Sequence, residues 1–250
     1  MILYFSATGN SKHVAERLAE ATGDSIASIP EYADEKRNCV DLEGGMLGIV
    51  CPVFFGGLPR LVENYLEDLV ARDASYVYFV GTYGGYSGQA GLYAKYLLAR
   101  NGIKLDVRFG VKMPGTFSPG YRVDDAEKNA RRNAAAEEQI EVVAQAVCAH
   151  ARGDLMSDEL PLFVADAMHA AYAPASRTRF FSVNETCIGC GKCAEKCPDH
   201  AIEMRDGRPV WVKDHCDICM GCVHRCPAFA ISFTRLSARN GQYLNPHTTV

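Results

Sequence analysis

Eight of the chain's 11 cysteines fall in the 40 residues from Cys187 to Cys226, and they form a repeat. Cys187, Cys190, Cys193, Cys197 and Pro198 recur 29 residues later as Cys216, Cys219, Cys222, Cys226 and Pro227, and Ala201-Ile202 recurs as Ala230-Ile231. Two halves of one design predict a local pseudo-twofold unit. The opening run Met1 to Phe5 is too short for a signal segment and follows no basic stretch, so the expected location is cytoplasmic. In that setting, such thiol density reads as metal or cluster ligation rather than a disulfide framework.

Each half spells Cys-x2-Cys-x2-Cys-x3-Cys-Pro. Two-residue gaps let three thiolates converge from one turn of backbone onto one face of a cube of iron and sulfur, and the proline turns the chain away. Paired Cys-x2-Cys steps also build zinc sites, but tetrahedral zinc uses two pairs and leaves the third step without a purpose. The run resembles that of bacterial two-cluster ferredoxins, in which the fourth cysteine serves the other cluster. The resemblance implies one 4Fe-4S cluster on Cys187, Cys190, Cys193 and Cys226 and a second on Cys216, Cys219, Cys222 and Cys197. Gly189, Gly191 and Gly221 are placed to let backbone N–H groups approach the sulfurs. Ile188, Ile202, Ile218, Ile231 and Trp211 are expected to exclude water, with plain core packing the simpler role for Trp211. His200, His215 and His224 read as surface or supporting residues rather than ligands.

The first half of the chain alternates between two periods. Apolar runs at Met1 to Phe5, Met46 to Cys51 and Tyr76 to Val80, with weaker ones at Ser25 to Ile29 and Lys104 to Val111, read as strands. Helical stripes follow at Val14, Ala15, Leu18 and Ala19, at Leu61, Val62, Tyr65, Leu66 and Leu69, and across Ala90 to Arg100. Continuous apolar strands alternating with helices mark a parallel sheet covered on both faces. A long helix is expected from Asp124 to about Ala151, and a shorter one from Ser157 to Ala173. The predicted domains are 1–155, a helical connector at 156–180, a cysteine-rich domain at 181–236 and a tail at 237–250.

Three loops lie at carboxyl ends of strands, where open parallel sheets place ligands. Ser6, Thr8, Gly9, Asn10 and Ser11 open the first helix, without the Gly-x-Gly-x-x-Gly of a dinucleotide fold or the Gly-x4-Gly-Lys of a triphosphate loop. Hydroxyls and helix-start N–H groups suit a terminal monophosphate. Pro52, Val53, Phe54, Phe55 and Gly56 follow the next long strand, and Thr82, Tyr83, Gly84 and Gly85 the one after. Aromatic faces can cover a flat isoalloxazine while backbone amides reach its polar edge. Here the sequence resembles flavodoxin, and with the cysteine repeat it is similar to the flavodoxin-ferredoxin fusion proteins of anaerobic bacteria. That resemblance implies an α/β fold: a five-stranded parallel sheet of order 2-1-3-4-5 holding FMN, followed by a small α+β ferredoxin domain with two 4Fe-4S clusters. It implies the phosphate at Ser6, Thr8, Gly9, Asn10 and Ser11. The second loop has no Trp, and either Phe54 or Phe55 takes the stacking role. The long loop Met113 to Tyr121 is a candidate lid, and Cys51 reads as a small buried thiol.

The formal charge of -4 hides a split: residues 1–175 carry 16 Lys/Arg against 23 Asp/Glu, and residues 176–236 carry 9 against 7. No clustered basic footprint exists for nucleic acid, and no apolar run approaches a membrane span. The expected function is electron transfer between the clusters and FMN, coupling one-electron carriers to a two-electron partner, with redox proteins as partners. The same residues also allow a flavin-dependent reductase of a quinone or nitro compound fed through the clusters, or an iron-sulfur redox sensor.

Overall fold

The computed structural model describes residues 1–250. The chain begins β1 (Ile2–Tyr4), α1 (Asn10–Thr22), β2 (Ile26–Ser28), α2 (Ile29–Asp34), β3 (Cys39–Asp41), β4 (Met46–Pro52), α3 (Arg60–Glu67), β5 (Val70–Arg72) and β6 (Tyr76–Tyr83). It continues through α4 (Ala90–Arg100), β7 (Val107–Lys112), α5 (Ala126–Cys148) and β8 (Gly153–Leu155). The connector holds α6 (Leu162–Ala170) and α7 (Tyr172–Ala175). Beyond it come β9 (Phe181–Val183), α8 (Lys192–Glu195), β10 (Ile202–Arg205), β11 (Arg208–Trp211), α9 (Gly221–His224), β12 (Ile231–Phe233) and α10 (Thr234–Ser237). No helix is long and apolar enough to cross a membrane.

The main sheet is parallel, with order β2-β1-β4-β6-β7-β8. The sheet has six strands rather than the expected five: the five expected strands are β2, β1, β4, β6 and β7, side by side in that order. Gly153–Leu155 adds a sixth strand beside β7, and the short segments β3 and β5, absent from the sequence reading, pair with each other outside the sheet. Both segments are too short and too exposed to carry the apolar run by which the other strands are recognised.

Every residue of β6 is buried, as its central place between covered faces requires. On one face the stripes of α3 and α4 (Val62, Leu66, Ala94, Leu98) meet Ile49, Val77 and Phe79. On the other, Val14 and Leu18 of α1 and Ile140, Val143 and Val147 of α5 meet Val50, Val80 and Phe109. Each fully buried Leu or Ile there contributes about 1.5–3 kcal/mol. Because the strands run one way, their following loops gather along one edge.

The helix expected from Ser157 to Ala173 is shorter and broken. Residues 157–160 run beside the β6–α4 loop, where Ser87 N–H donates to the Asp158 carbonyl and the Gln89 side-chain amide to the Leu160 carbonyl. Pro161 then starts α6, as a residue without an N–H does at least cost. The cysteine-rich module is two antiparallel ribbons, β10–β11 and β9–β12, with one-turn helices α8 and α9. Its core is small: Tyr172, Ile218, Met220, Val223, Ile231 and Phe233.

Candidate functional site

The loops at the carboxyl edge enclose a cavity of about 350 Å³. Ser6, Thr8, Asn10, Ser11, Pro52, Val53, Phe54, Phe55, Gly56, Thr82, Tyr83, Gly84 and Gly85 all line it. Gly9 does not. Its left-handed backbone (φ 98°) turns the loop, and a Cβ there would lie 2.8 Å from Asn245 Cβ, in the tail. The candidate lid supplies Pro114, Gly115, Thr116, Phe117 and Tyr121, and the connector adds Leu160 and Met168. No Lys, Arg, Asp, Glu or His side chain is on the wall.

Within the first loop, side chains hold the shape while two backbone N–H groups stay unpaired. Ser6 Oγ accepts the Gly9 N–H at 3.1 Å, and the Ser11 and Thr82 hydroxyls lie 2.7 Å apart. The Asn10 amide donates to the Pro114 carbonyl at 2.9 Å, while its oxygen accepts from Tyr243 Oη and the Asn245 amide, both at 3.1 Å. The N–H groups of Asn10 and Ser11 donate to no carbonyl of the chain. They sit at the positive end of the 13-residue α1. Residues 240–249 were expected only as a tail, yet they strap this loop down: Asn245 N–H donates to the Thr8 carbonyl at 2.8 Å and Lys12 to the Thr249 carbonyl at 2.7 Å.

The second loop reverses at Phe55 (φ 48°) and Gly56 (φ 73°), closed by reciprocal bonds between Phe54 and Gly57. The reversal sends the two rings different ways. Phe54 meets Phe5 and Tyr172 edge-on, with the sheet core, whereas Phe55 stacks on Tyr172 at 5.0 Å and 8°. In the third loop the Tyr83 hydroxyl lies 3.0 Å from Ser157 Oγ, and burial raises its phenol.

The cysteines lie in two neighbouring groups. Cys187, Cys190, Cys193 and Cys226 line one small cavity with Met204 and Ile231. In the other set, burial pushes the Cys216 thiol up to about 12, and Cys219 and Cys222 well above their ordinary value. The neighbouring sulfurs add to this, since Cys197 and Cys216 both act on Cys219 and Cys222. Neighbouring, half-buried thiols of this kind fit a metal cluster, whose positive charge removes their protons. Backbone supports repeat as well: Ala201 N–H donates to Cys197 Sγ at 3.3 Å and Ala230 N–H to Cys226 Sγ at 3.2 Å.

The left-handed turns that flank the middle cysteines differ between the two halves. Gly189 (φ 68°) and Gly191 (φ 77°) take left-handed turns, but Gly221 opens α9, and the equivalent turns in the second half fall on Ile218 (φ 41°) and Met220 (φ 60°). Ile188 is exposed although it lines the small cavity of the first set, and Trp211 stacks on Phe181 at 4.8 Å. Of the three histidines, His200 bonds Asp34, and the buried His224 bonds the Thr116 carbonyl and Tyr243 N–H.

The modules meet at the second cysteine set. Ile218, Cys219 and Met220 line the main cavity with the sheet loops. Asp217, in the same loop, accepts the Leu61 N–H of α3 at 3.0 Å, and its carbonyl accepts the Tyr172 hydroxyl at 2.8 Å. Burial, then the Asp199 carboxylate, raise the Asp217 carboxyl to about 7. None of these cross-module contacts carries a local sequence signal.

Residues 180–227 match the 4Fe-4S dicluster domain family. An uncharacterized polyferredoxin-like protein of Methanocaldococcus jannaschii is 36% identical over 20% of this chain and 37% of its own length, so the match spans little more than a third of that relative. The solved structure of the Trp repressor binding protein from Bacillus subtilis aligns with a TM-score of 0.34 and 11% identity, over 56% of this chain and 97% of that one. The chain thus carries, behind an α/β parallel-sheet module, a C-terminal 4Fe-4S dicluster ferredoxin domain suited to iron-sulfur electron transfer.

Proposed function

We propose that the protein is a flavo-iron-sulfur electron carrier, with FMN in the main cavity and two 4Fe-4S clusters on the eight cysteines. The observation that carries this reading is the shared wall: Cys219 of the second set lines the same cavity as the loops expected at the flavin. In this reading the N–H groups of Asn10 and Ser11 and the Thr8 hydroxyl hold the phosphate, with Ser11 and Thr82 bracing each other. Phe54, Phe55, Tyr83 and Phe117 flank the ring, and Gly84 and Gly85 leave backbone free to meet its polar edge. Ile218 and Met220 keep water from the junction with the cysteines. FMN, when bound, supplies one- and two-electron chemistry, and the clusters supply one-electron steps. Redox proteins are the partners such a carrier needs.

Purification without oxygen tests the proposal directly. The expected content is about eight iron, eight labile sulfide and one FMN per chain. Protein that holds only zinc, or that retains no flavin after reconstitution, overturns it.

A further inference from the structure

We infer that the two cysteine sets have different places in electron exchange: the set of Cys197, Cys216, Cys219 and Cys222 couples to the cavity through Cys219, and the set containing Cys190 faces outward. This deepens the FMN reading and rests on it.

The repeat makes the comparison internal, because each residue of one half has a twin in the other. Cys219 stands on the main cavity wall, whereas its twin Cys190 is exposed and reaches only the small cavity. Asp217 is 2% exposed and bound to α3, whereas its twin Ile188 is 69% exposed. A Cβ on Gly221 would meet Ala7 of the first loop at 3.6 Å, so the second half presses on the sheet module.

The residues flanking Cys219 give an independent argument. Both halves need left-handed turns on either side of the middle cysteine, and the first half meets that need with Gly189 and Gly191. The second half uses Ile218 and Met220, whose side chains strain in that conformation, Ile218 most because it is β-branched. Strain of this kind persists only where the surroundings impose it, and it gathers at functional positions. Both side chains are almost fully buried and both line the main cavity beside Cys219. They flank the cysteine on both sides at the point where it meets the cavity.

Electron exchange weakens steeply with distance, so the nearer set is the one that couples. One electron crosses at a time: the group that gives it is oxidised by one unit and the group that takes it is reduced by one. No bond to Cys219 Sγ breaks, and no proton moves at that atom.

A redox titration followed by electron paramagnetic resonance, on the full chain with both clusters and with or without FMN, tests this; dithionite supplies the electrons. Cys219→Ser and Cys190→Ser each mark one reduction step by exchanging a sulfur ligand for oxygen. FMN is expected to shift the step marked by Cys219→Ser and to leave the step marked by Cys190→Ser in place. A shift of the Cys190-marked step instead, or of neither, overturns the inference. Should a serine variant fail to take up iron, Ile218→Gly with Met220→Gly keeps all eight thiols. Admitting water there is expected to move the FMN-sensitive step alone, and equal movement of both steps overturns the inference. Protein that takes up both clusters but loses FMN on dialysis defeats the flavin reading itself, a result distinct from retained FMN with the wrong step shifted.

Discussion

Asp217 and Leu61 lie 156 residues apart, and the Asp217 carboxylate accepts the Leu61 backbone N–H at 3.0 Å. The acceptor comes from the cysteine-rich module and the donor from the first turn of a helix in the sheet module. Pro59, at the start of α3, has no side-chain oxygen to offer, so this helix is capped from outside its own module. Asp217→Ala is expected to lower stability by about 1 kcal/mol, the usual cost of a lost N-cap. The midpoint of urea unfolding, measured with iron content unchanged, reads it; an unaltered midpoint counts against the cap.

Tyr172 joins the same region, stacked on Phe55 and donating to the Asp217 carbonyl. Tyr172→Phe removes one hydrogen bond and is expected to cost about 1 kcal/mol, whereas Tyr172→Ala also removes a buried ring and costs about 3–5 kcal/mol. Limited proteolysis of the connector should rank the two variants in that order.

Thr8 and Ser11 separate two kinds of loop hydroxyl. Thr8→Ala is expected to weaken FMN binding about tenfold, equivalent to one hydrogen bond of about 1.4 kcal/mol to a charged group. Ser11→Ala frees Thr82 as well, and should weaken binding at least as much. Quenching of flavin fluorescence on titration measures both, and equal affinity in all three proteins would remove the loop from the phosphate.

Iron removal should act on one module only. The core cluster of the cysteine-rich module has five buried apolar residues of its own with Tyr172 of the connector, too few to hold a domain of its size without a staple. Chelation is therefore expected to abolish amide protection across β9 to β12 while β4 and β6 stay protected, as hydrogen exchange can show residue by residue.

Gly9→Ala tests the strap. The substitution strains a left-handed turn and sets a Cβ 2.8 Å from Asn245 Cβ, for an expected loss of about 1–2 kcal/mol. In a chain cut after Gln242 the contact is gone, so the same substitution should cost less. Equal cost in both backgrounds would mean that the tail bears no part of the effect.

What could be read in the sequence was what is encoded locally. The ligand spacing of Cys187 to Cys226 is visible because three of each four thiols sit within one turn of chain. The strands β4 and β6 are visible because both faces are buried, which leaves a continuous apolar run. The pair β3–β5 offers no such run, and neither does the short, exposed β8, which is why the sheet has six strands where five were expected. The left-handed turns at Ile218 and Met220 escaped because side-chain identity there argues against the conformation; only the twin positions Gly189 and Gly191 hint at it. The bonds of Asn245 and Tyr243 to Asn10, and of Asp217 to Leu61, are polar and made across more than 100 residues, so no periodicity announces them.

Asn10 and Asn245 meet across 235 positions. At a synthesis rate of roughly 5–20 residues per second, the first is made on the order of ten to fifty seconds before the second. During translation the nascent sheet module therefore emerges with its ligand edge unlatched. The strap that latches the first loop is made only after the cysteine-rich module, so this edge of the sheet is fastened late in synthesis.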